Sequence, residues 1–445
     1  MTGFSFAGGA SFLVPRAAAP LIAFAGDSIT AMAVYSTATA LGNHPYAPSS
    51  WLVPMLGQRV RTDHSLNFGV SGDTTTQLLA RIDAIAACPA DIVCVLIGTN
   101  DVNGAVTGAT LATYKANMIA IVDRLLNAGK LVIVTPPLPR NVATAANRRL
   151  LHAMREWTLR LQWSGRRNLR VADASVEYGD PLSGTYAPRS GHDYDGLHPQ
   201  SRGAYEIAKA LHRVLDPLLP PVPQGLASAD DIYDATYNPG GNLLTNGILE
   251  GTGGTVPASQ GATTTGSQMA TGWSLFFNAP YSGATPLSGL TVLASKGTTE
   301  QGLPEQVFTV SGSYSGDVDT FWGMTQTVPS PSRLAVGDVL EATGEIILDP
   351  SAAELPIASP RLGLSIAYPS GSTTPTRAID MYHVANGYAP KEGYKVSLRT
   401  PRFTLQEVPS TVSFGALFVP RQGVNTLPNN AVFRMRRLAL RKVTP

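Results

Sequence analysis

Five short runs that read as strands, each followed by a stretch of helical periodicity, constrain the first half of this chain more than any other feature. The runs fall at residues 21–25, 65–70, 91–97, 131–134 and 169–172. The helical stretches fall at 49–60, 74–87, 111–127, 143–163 and 203–215, and Leu78, Leu79, Ile82 and Ile85 share one face of the second. Apolar strands without polar alternation are buried on both faces, and their alternation with helices predicts a parallel sheet covered on both sides. In such a sheet, chemistry gathers at the carboxyl ends of the strands.

The texture changes at Leu218-Leu219-Pro220-Pro221-Val222-Pro223-Gln224-Gly225, a linker by composition. A chain of 445 residues exceeds one typical core. The expected division is a domain at 1–217, the linker at 218–225 and a second domain at 226–445. In the second, strand candidates recur at 289–294, 306–314, 321–328, 339–348, 362–368, 378–384, 394–405, 412–419 and 432–443. That spacing predicts an all-β sandwich of jelly-roll type. The Gly-, Thr- and Ser-rich residues 251–267 read as a loop.

Charged residues make up only 14% of the chain against 44% hydrophobic, and the net charge is +2. This is a folded protein with no overall basic excess for nucleic acid and no polybasic membrane patch. Cys88 and Cys94 form neither a disulfide framework nor a zinc spacing. No run approaches the ~18 apolar residues of a membrane span, and the N-terminus lacks a classical signal peptide. The expected setting is the cytoplasm, a virion, or export without a cleaved signal.

Four short blocks carry the chemistry. Gly26-Asp27-Ser28-Ile29-Thr30 follows the first run. Gly26 permits a sharp turn and Asp27, Ser28 and Thr30 are helix-starting types, so Ser28 sits at a strand-to-helix turn near backbone N–H groups. Asn67-Phe68-Gly69-Val70-Ser71-Gly72-Asp73 follows the second run and offers a bare backbone N–H at Gly72. Gly98-Thr99-Asn100-Asp101 follows the third, with an amide donor at Asn100. Asp195-Gly196-Leu197-His198-Pro199 precedes the last helix, and its aspartate and histidine can share a tight turn. Each block also has a plain structural reading as a cap or turn. Together they supply a nucleophile, oxyanion donors and an acid–base pair. A metal reading of His192, Asp193, Asp195 and His198 leaves Ser28, Gly72 and Asn100 unexplained.

These blocks resemble those of the SGNH (GDSL-type) hydrolase family over roughly residues 21–215. The resemblance implies a flavodoxin-like three-layer α/β/α fold. It implies Ser28, Asp195 and His198 as catalytic triad, with an oxyanion hole from the Ser28 and Gly72 N–H groups and the Asn100 amide. It implies no metal and no cofactor.

The expected function is a serine esterase acting on short acyl groups, chiefly acetyl, on a carbohydrate. The alternatives are an acyltransferase with the same triad, or a non-catalytic glycan-binding, phage tail or adhesin protein. The partner is then an acylated small molecule or an acetylated polysaccharide. Loops 35–46 and 177–191 are expected to border the site, and substrate contacts are expected from Asp27, Asp73 and Tyr186. In the β domain Trp273, Tyr281, Tyr314, Trp322, Tyr382 and Tyr388 are candidate sugar-stacking rings. Asn242-Leu243-Leu244-Thr245-Asn246-Gly247 and Thr271-Gly272-Trp273 faintly resemble carbohydrate-binding and phage tail modules, which would imply a homo-oligomer, a trimer in the tail-like case.

Overall fold

The computed structural model describes residues 5–6, 10–11, 19–37, 40–102, 110–141, 144–220, 229–257, 263–278, 289–316, 321–328, 333–371, 376–377, 387–421 and 423–443. The chain divides into two compact units, Met1–Val34 with Tyr46–Val222 and Tyr35–Pro45 with Pro223–Pro445.

The first unit is built on five parallel strands: β1 (Ile22–Gly26), β2 (Asn67–Gly69), β3 (Ile92–Leu96), β4 (Leu131–Thr135) and β5 (Leu169–Val171). Their order is β2-β1-β3-β4-β5, the flavodoxin-like order whose crevice opens between the strands flanking the first. Register fixes the level at which they end. Gly26 pairs with Gly69 on one side and with Leu96 on the other, so β1, β2 and β3 release their loops at one height. Every residue of β1, β3 and β4 is buried, which explains their unbroken apolar character.

The helices are α1 (Ser28–Ala31), α2 (Pro48–Met55), α3 (Thr75–Ala80), α4 (Ile82–Ala87), α5 (Leu111–Asn127), α6 (Ala145–Arg160), α7 (Ser175–Tyr178) and α8 (Ser201–Leu215). In α5 the Thr110 hydroxyl caps the first turn by accepting the Thr113 N–H, 3.1 Å away. Tyr114, Met118, Ile121, Val122 and Leu125 form its buried stripe, and Gly129, at φ +79°, follows the end. Against α3 to α6 pack Ala23, Ala25, Val93, Val95, Val132 and Val134, the alternate residues that one face of a sheet presents. Each fully buried Leu or Ile there contributes about 1.5–3 kcal/mol. A second helix layer pairs α2 with α8, where Trp51 meets Tyr205 edge-on at 5.4 Å. The stretch expected as one helix over 74–87 is two, divided at Arg81, whose φ of −116° leaves the helical region.

The second unit is mostly antiparallel. Its strands are β6 (Gly253–Thr255), β7 (Met269–Asn278), β8 (Leu290–Thr298), β9 (Pro304–Gly316), β10 (Phe321–Thr327), β11 (Val339–Leu348), β12 (Ile357–Ala367), β13 (Thr376–Arg377), β14 (Tyr394–Arg399), β15 (Phe403–Thr404), β16 (Thr411–Pro420) and β17 (Gly423–Val443). One sheet runs β8-β9-β17-β11-β14, with β15 also on β11. The other runs β6-β7-β10-β16-β12-β13 and ends in the short strands Ala40–Asn43 and Val34–Thr37. The two sheets meet over aromatic rings. Trp322 and Phe418 of one lie 5.4 Å and 4.5 Å from Phe433 of the other.

Several strands differ from the sequence expectation, each for a local reason. β7 carries no clean alternation and was not anticipated, and β6 lies inside the stretch expected as a loop. The expected strand 394–405 is broken into β14 and β15 around Pro401, since proline lacks a ladder donor. β17 starts nine residues before the expected 432. Its turn-like Pro428-Asn429-Asn430 is absorbed where pairing with β9 skips from Val310↔Ala431 to Gly312↔Leu427. The strand expected at 378–384 lies outside the described residues.

Candidate active site

The site starts where β1 ends. A Cβ on Gly26 would stand 2.2 Å from the Leu96 carbonyl oxygen and 2.3 Å from the Thr30 hydroxyl, so only glycine lets β1 pass into its turn here. Asp27 caps α1, its Oδ1 accepting the Ile29 N–H at 3.0 Å. Ser28, in the first turn of α1, points at the loop before α8. Ser28 Oγ lies 2.8 Å from His198 Nε2, and His198 Nδ1 lies 2.7 Å from Asp195 Oδ2.

The Asp-x-x-His turn is pinned on every side. Asp195 Oδ1 accepts the N–H groups of His198 at 2.7 Å and Leu197 at 3.0 Å. Gly196, at φ +83°, donates its N–H to Asp193 Oδ2 and accepts the Asn141 N–H at 2.7 Å. Tyr194 donates its N–H to His198 O at 3.1 Å. Partial burial pushes the Asp195 carboxyl up. The His198 backbone and ring and the Leu197 N–H more than offset this, and hold it below the usual carboxylate range. An imidazole so held presents one nitrogen to the serine and keeps the other on an anion, an arrangement that can take up the hydroxyl proton.

The next two loops leave the sheet at the same height. Val70 donates its N–H to Gly26 O at 3.1 Å, and Asp73 donates to Val70 O at 3.1 Å, closing a turn whose third residue is Gly72 at φ +84°. Nothing crowds a Cβ at Gly72, so the positive φ is what favours glycine there. Asn100 donates one amide hydrogen to Asp73 O at 3.0 Å, which fixes the side chain beside that turn and leaves its second hydrogen. Ser28, Gly72 and Asn100 are thus tied together by β1, β2 and β3.

Beneath them lies a cluster of buried charge. Asp27 is fully buried and its Oδ2 has no partner. Burial first, then the nearby Asp101 and Asp73 carboxylates, push its pKa up to about 7 against the Ile29 N–H and Arg140. Asp73 pairs with Arg81 at 2.8 Å, and Arg81 also donates to Gly26 O at 3.1 Å. Asp101 accepts the Thr75 N–H at 2.9 Å and the Thr75 hydroxyl, capping α3 from outside the helix. Arg140 donates to the Thr99 carbonyl at 3.0 Å, and its buried Nε is unpartnered.

Four of the expected substrate contacts are withdrawn by this geometry. Asp27 and Asp73 are buried, the first as a helix cap and the second in its pair with Arg81, so neither carboxylate is open to a ligand. Trp273 and Trp322 are both 0% exposed. Trp273 stacks edge-on against Phe414 and donates its indole N–H to Asn246 O, while Trp322 fills the inter-sheet core. Neither ring has a free face for a sugar. Tyr186 is engaged by its hydroxyl, 3.1 Å from Ser175 Oγ, and by its ring, stacked 5.7 Å from His152. Tyr314 is buried and Tyr388 lies under the Arg421 guanidinium. Tyr281 and Tyr382 lie outside the described residues. Asn242 and Asn246 are structural ties: Asn242 bonds Leu438 and Leu440 of β17, and Asn246 bonds Glu250 and Thr271. Residues 35–45, expected to border the site, belong to the second unit.

Two residues of the site were missed from sequence. Tyr194 stacks on His198 at 5.6 Å and 14°, with Tyr46 at 5.7 Å from the same ring, and remains half exposed. Its signal was an aromatic residue directly before Asp195. Arg140 follows Pro136-Pro137-Leu138-Pro139 beyond β4, where a charged residue at a strand's carboxyl end was the available clue.

The GDSL-like lipase/acylhydrolase family matches residues 24–205. Similar solved structures include a catalytic mutant of an acetylxylan esterase from Geobacillus stearothermophilus (22% identity, 44% of this chain and 94% of that chain, TM-score 0.37). A lipase/acylhydrolase from Enterococcus faecalis is similar at 21% identity over 46% of this chain and 100% of that chain, TM-score 0.36. A carbohydrate esterase family 3 protein from Talaromyces cellulolyticus is similar at 20% identity over 45% of this chain and 97% of that chain, TM-score 0.34. Among curated proteins, none matches the chain.

Proposed function

From the premise that residues 24–205 are a GDSL-like lipase/acylhydrolase domain, we propose that the protein is a serine esterase that removes short acyl groups, chiefly acetyl, from a carbohydrate. The observation that carries this reading is the hydrogen-bonded line from Ser28 through His198 to Asp195 at the carboxyl ends of a parallel sheet. Ser28 Oγ attacks the ester carbonyl carbon while its proton passes to His198 Nε2. Asp195, held as a carboxylate, stabilises the imidazolium. The Ser28 and Gly72 N–H groups and the free Asn100 amide hydrogen receive the oxyanion. The C–O bond to the alcohol breaks as His198 returns the proton to it, leaving an acyl-Ser28 that water, deprotonated by His198, then hydrolyses.

The test is hydrolysis of p-nitrophenyl esters of rising chain length, wild type beside Ser28→Ala. Activity that falls beyond butyrate and is lost in the variant supports the reading. Equal activity in Ser28→Ala removes the triad, and a preference for long chains turns the reading to a lipase.

A further inference from the structure

Residues 144–173 contain seven arginines, no lysine and two carboxylates, although the chain as a whole carries a net charge of only +2. This basic concentration lies on α6 and the turn that follows it, and the site as described uses none of it. At about 100° per residue, Arg149, His152, Glu156, Arg160 and Trp163 fall in one stripe roughly 80° wide. The side chains of Arg149, Arg160 and Arg167 are exposed and have no hydrogen-bond or ion-pair partner among the described residues. Trp163 is 79% exposed, an unusual state for the largest apolar side chain. Glu156, the stripe's one carboxylate, is already occupied by Arg155 at 2.6 Å. Arg155 also holds Asp173, and Arg166 holds Asp123.

The stripe begins beside the site. In a parallel α/β unit each helix starts at the carboxyl end of its strand, so the first turn of α6 stands at the level of Ser28. The link is continuous. Gly196 O accepts the Asn141 N–H, Tyr186 O accepts the Arg140 N–H at 3.0 Å, and the Tyr186 ring lies parallel to His152 at 5.7 Å and 9°. From Arg149 to Trp163 the face extends about 21 Å, long enough for several sugar units.

We propose that this face of α6 is the polymer-binding surface of the esterase, and that the polymer is a carboxylate-bearing polysaccharide. The proposal rests on the esterase reading and names its substrate class. Guanidinium forks match carboxylates two bonds at a time, which a lysine cannot do. An exposed indole on a face that also carries guanidinium groups suits the apolar face of a sugar ring whose neighbours carry negative charge. A polyanion whose units bear ester-linked acyl groups fits both the nucleophile and the charge. Nucleic acid fits the charge alone.

The test compares wild type, Trp163→Ala and the triple variant Arg149→Gln/Arg160→Gln/Arg167→Gln, all of exposed side chains whose loss leaves the core intact. Affinity electrophoresis in gels containing alginate, a polyuronate, or dextran, an uncharged glucan, reads binding without any need for turnover. Wild type is retarded by alginate and not by dextran, salt weakens the retardation, and both variants lose most of it. With chemically acetylated alginate the triple variant loses about tenfold in kcat/KM through KM, while p-nitrophenyl acetate turnover stays at the wild-type rate. Unchanged retardation of the variants in alginate overturns the proposal. So does wild-type retardation by a single-stranded oligonucleotide with none by alginate. Failure of the esterase reading registers separately, as p-nitrophenyl acetate hydrolysis that survives Ser28→Ala.

Discussion

Each unit of this protein gathers buried charge, and the two clusters are finished differently. Under Ser28 in the first unit, Asp27 keeps a buried oxygen without a partner and Arg140 a buried nitrogen without one. On the long strand of the second unit, Arg434 takes Asp349 through both oxygens and also Glu305, while Glu345 takes Arg436 and Arg437. Glu305 and Glu345 are nearly as buried as Asp27, yet each is met by guanidinium, as Asp73 is by Arg81 in the first unit. An unpaired buried polar group costs roughly 1–3 kcal/mol. A fold tolerates that where the position serves something other than stability. The second cluster reads as a brace for the sheet and the first as the foundation of the turn that carries Ser28.

Substitutions sharpen this contrast, and the largest effects are expected in the first unit. Asp195→Asn removes the anion behind His198 and is expected to lower kcat on p-nitrophenyl acetate on the order of 10⁴-fold, measured at a temperature where the variant is folded. Asn100→Ala removes one of the proposed oxyanion donors, and its expected loss is on the order of 10²–10³ in kcat with little change in KM. In the second unit the ranking reverses. Glu345→Ala leaves Arg436 and Arg437 facing a hole, so chemical denaturation is expected to show a loss of roughly 3 kcal/mol, while the folded variant keeps its wild-type rate on the small ester. A large fall in that rate at temperatures where the variant is folded would break the contrast.

The smallest effect is a pH dependence. Burial raises the Asp27 pKa in the folded state from 3.8 to about 7. Between those values the native state binds the proton more tightly than the unfolded chain does. The stability it contributes is therefore fully present below about 4 and is lost as pH rises through about 7. Asp27→Asn keeps the cap and cannot ionise. Its thermal midpoint is expected to gain on wild type between pH 4 and 8, and a difference constant over that range would contradict the raised pKa.

Much of the first unit was legible because its central strands β1, β3 and β4 are almost wholly apolar and its helices periodic. Ser28, Asp195 and His198, read from separate blocks, lie within hydrogen-bond reach in the structure. The depth at which Asp27 and Asp73 lie was not legible, because a polar residue beside a nucleophile looks the same in sequence whether it faces substrate or caps a helix. Tyr194 showed only as a neighbour of Asp195, since its stacking on His198 depends on the tight turn between them. The short strands Val34–Thr37 and Ala40–Asn43 have no periodic signal, and nothing in them reports that the chain leaves one unit for the other's sheet. In the β unit, Phe321-Trp322-Gly323-Met324 is buried at every position. Strand periodicity could not tell its inner face from an outer one, and Trp322 looked equally available to a sugar.

The account stands on Ser28 as the nucleophile activated by His198. The most direct measurement is labelling of the intact protein with a fluorophosphonate, followed by mass spectrometry of its peptides. The expected result is one adduct per chain on the peptide holding Ser28, formed as p-nitrophenyl acetate hydrolysis disappears and greatly slowed by His198→Ala. An adduct on another serine, or full loss of activity with Ser28 unmodified, would contradict it.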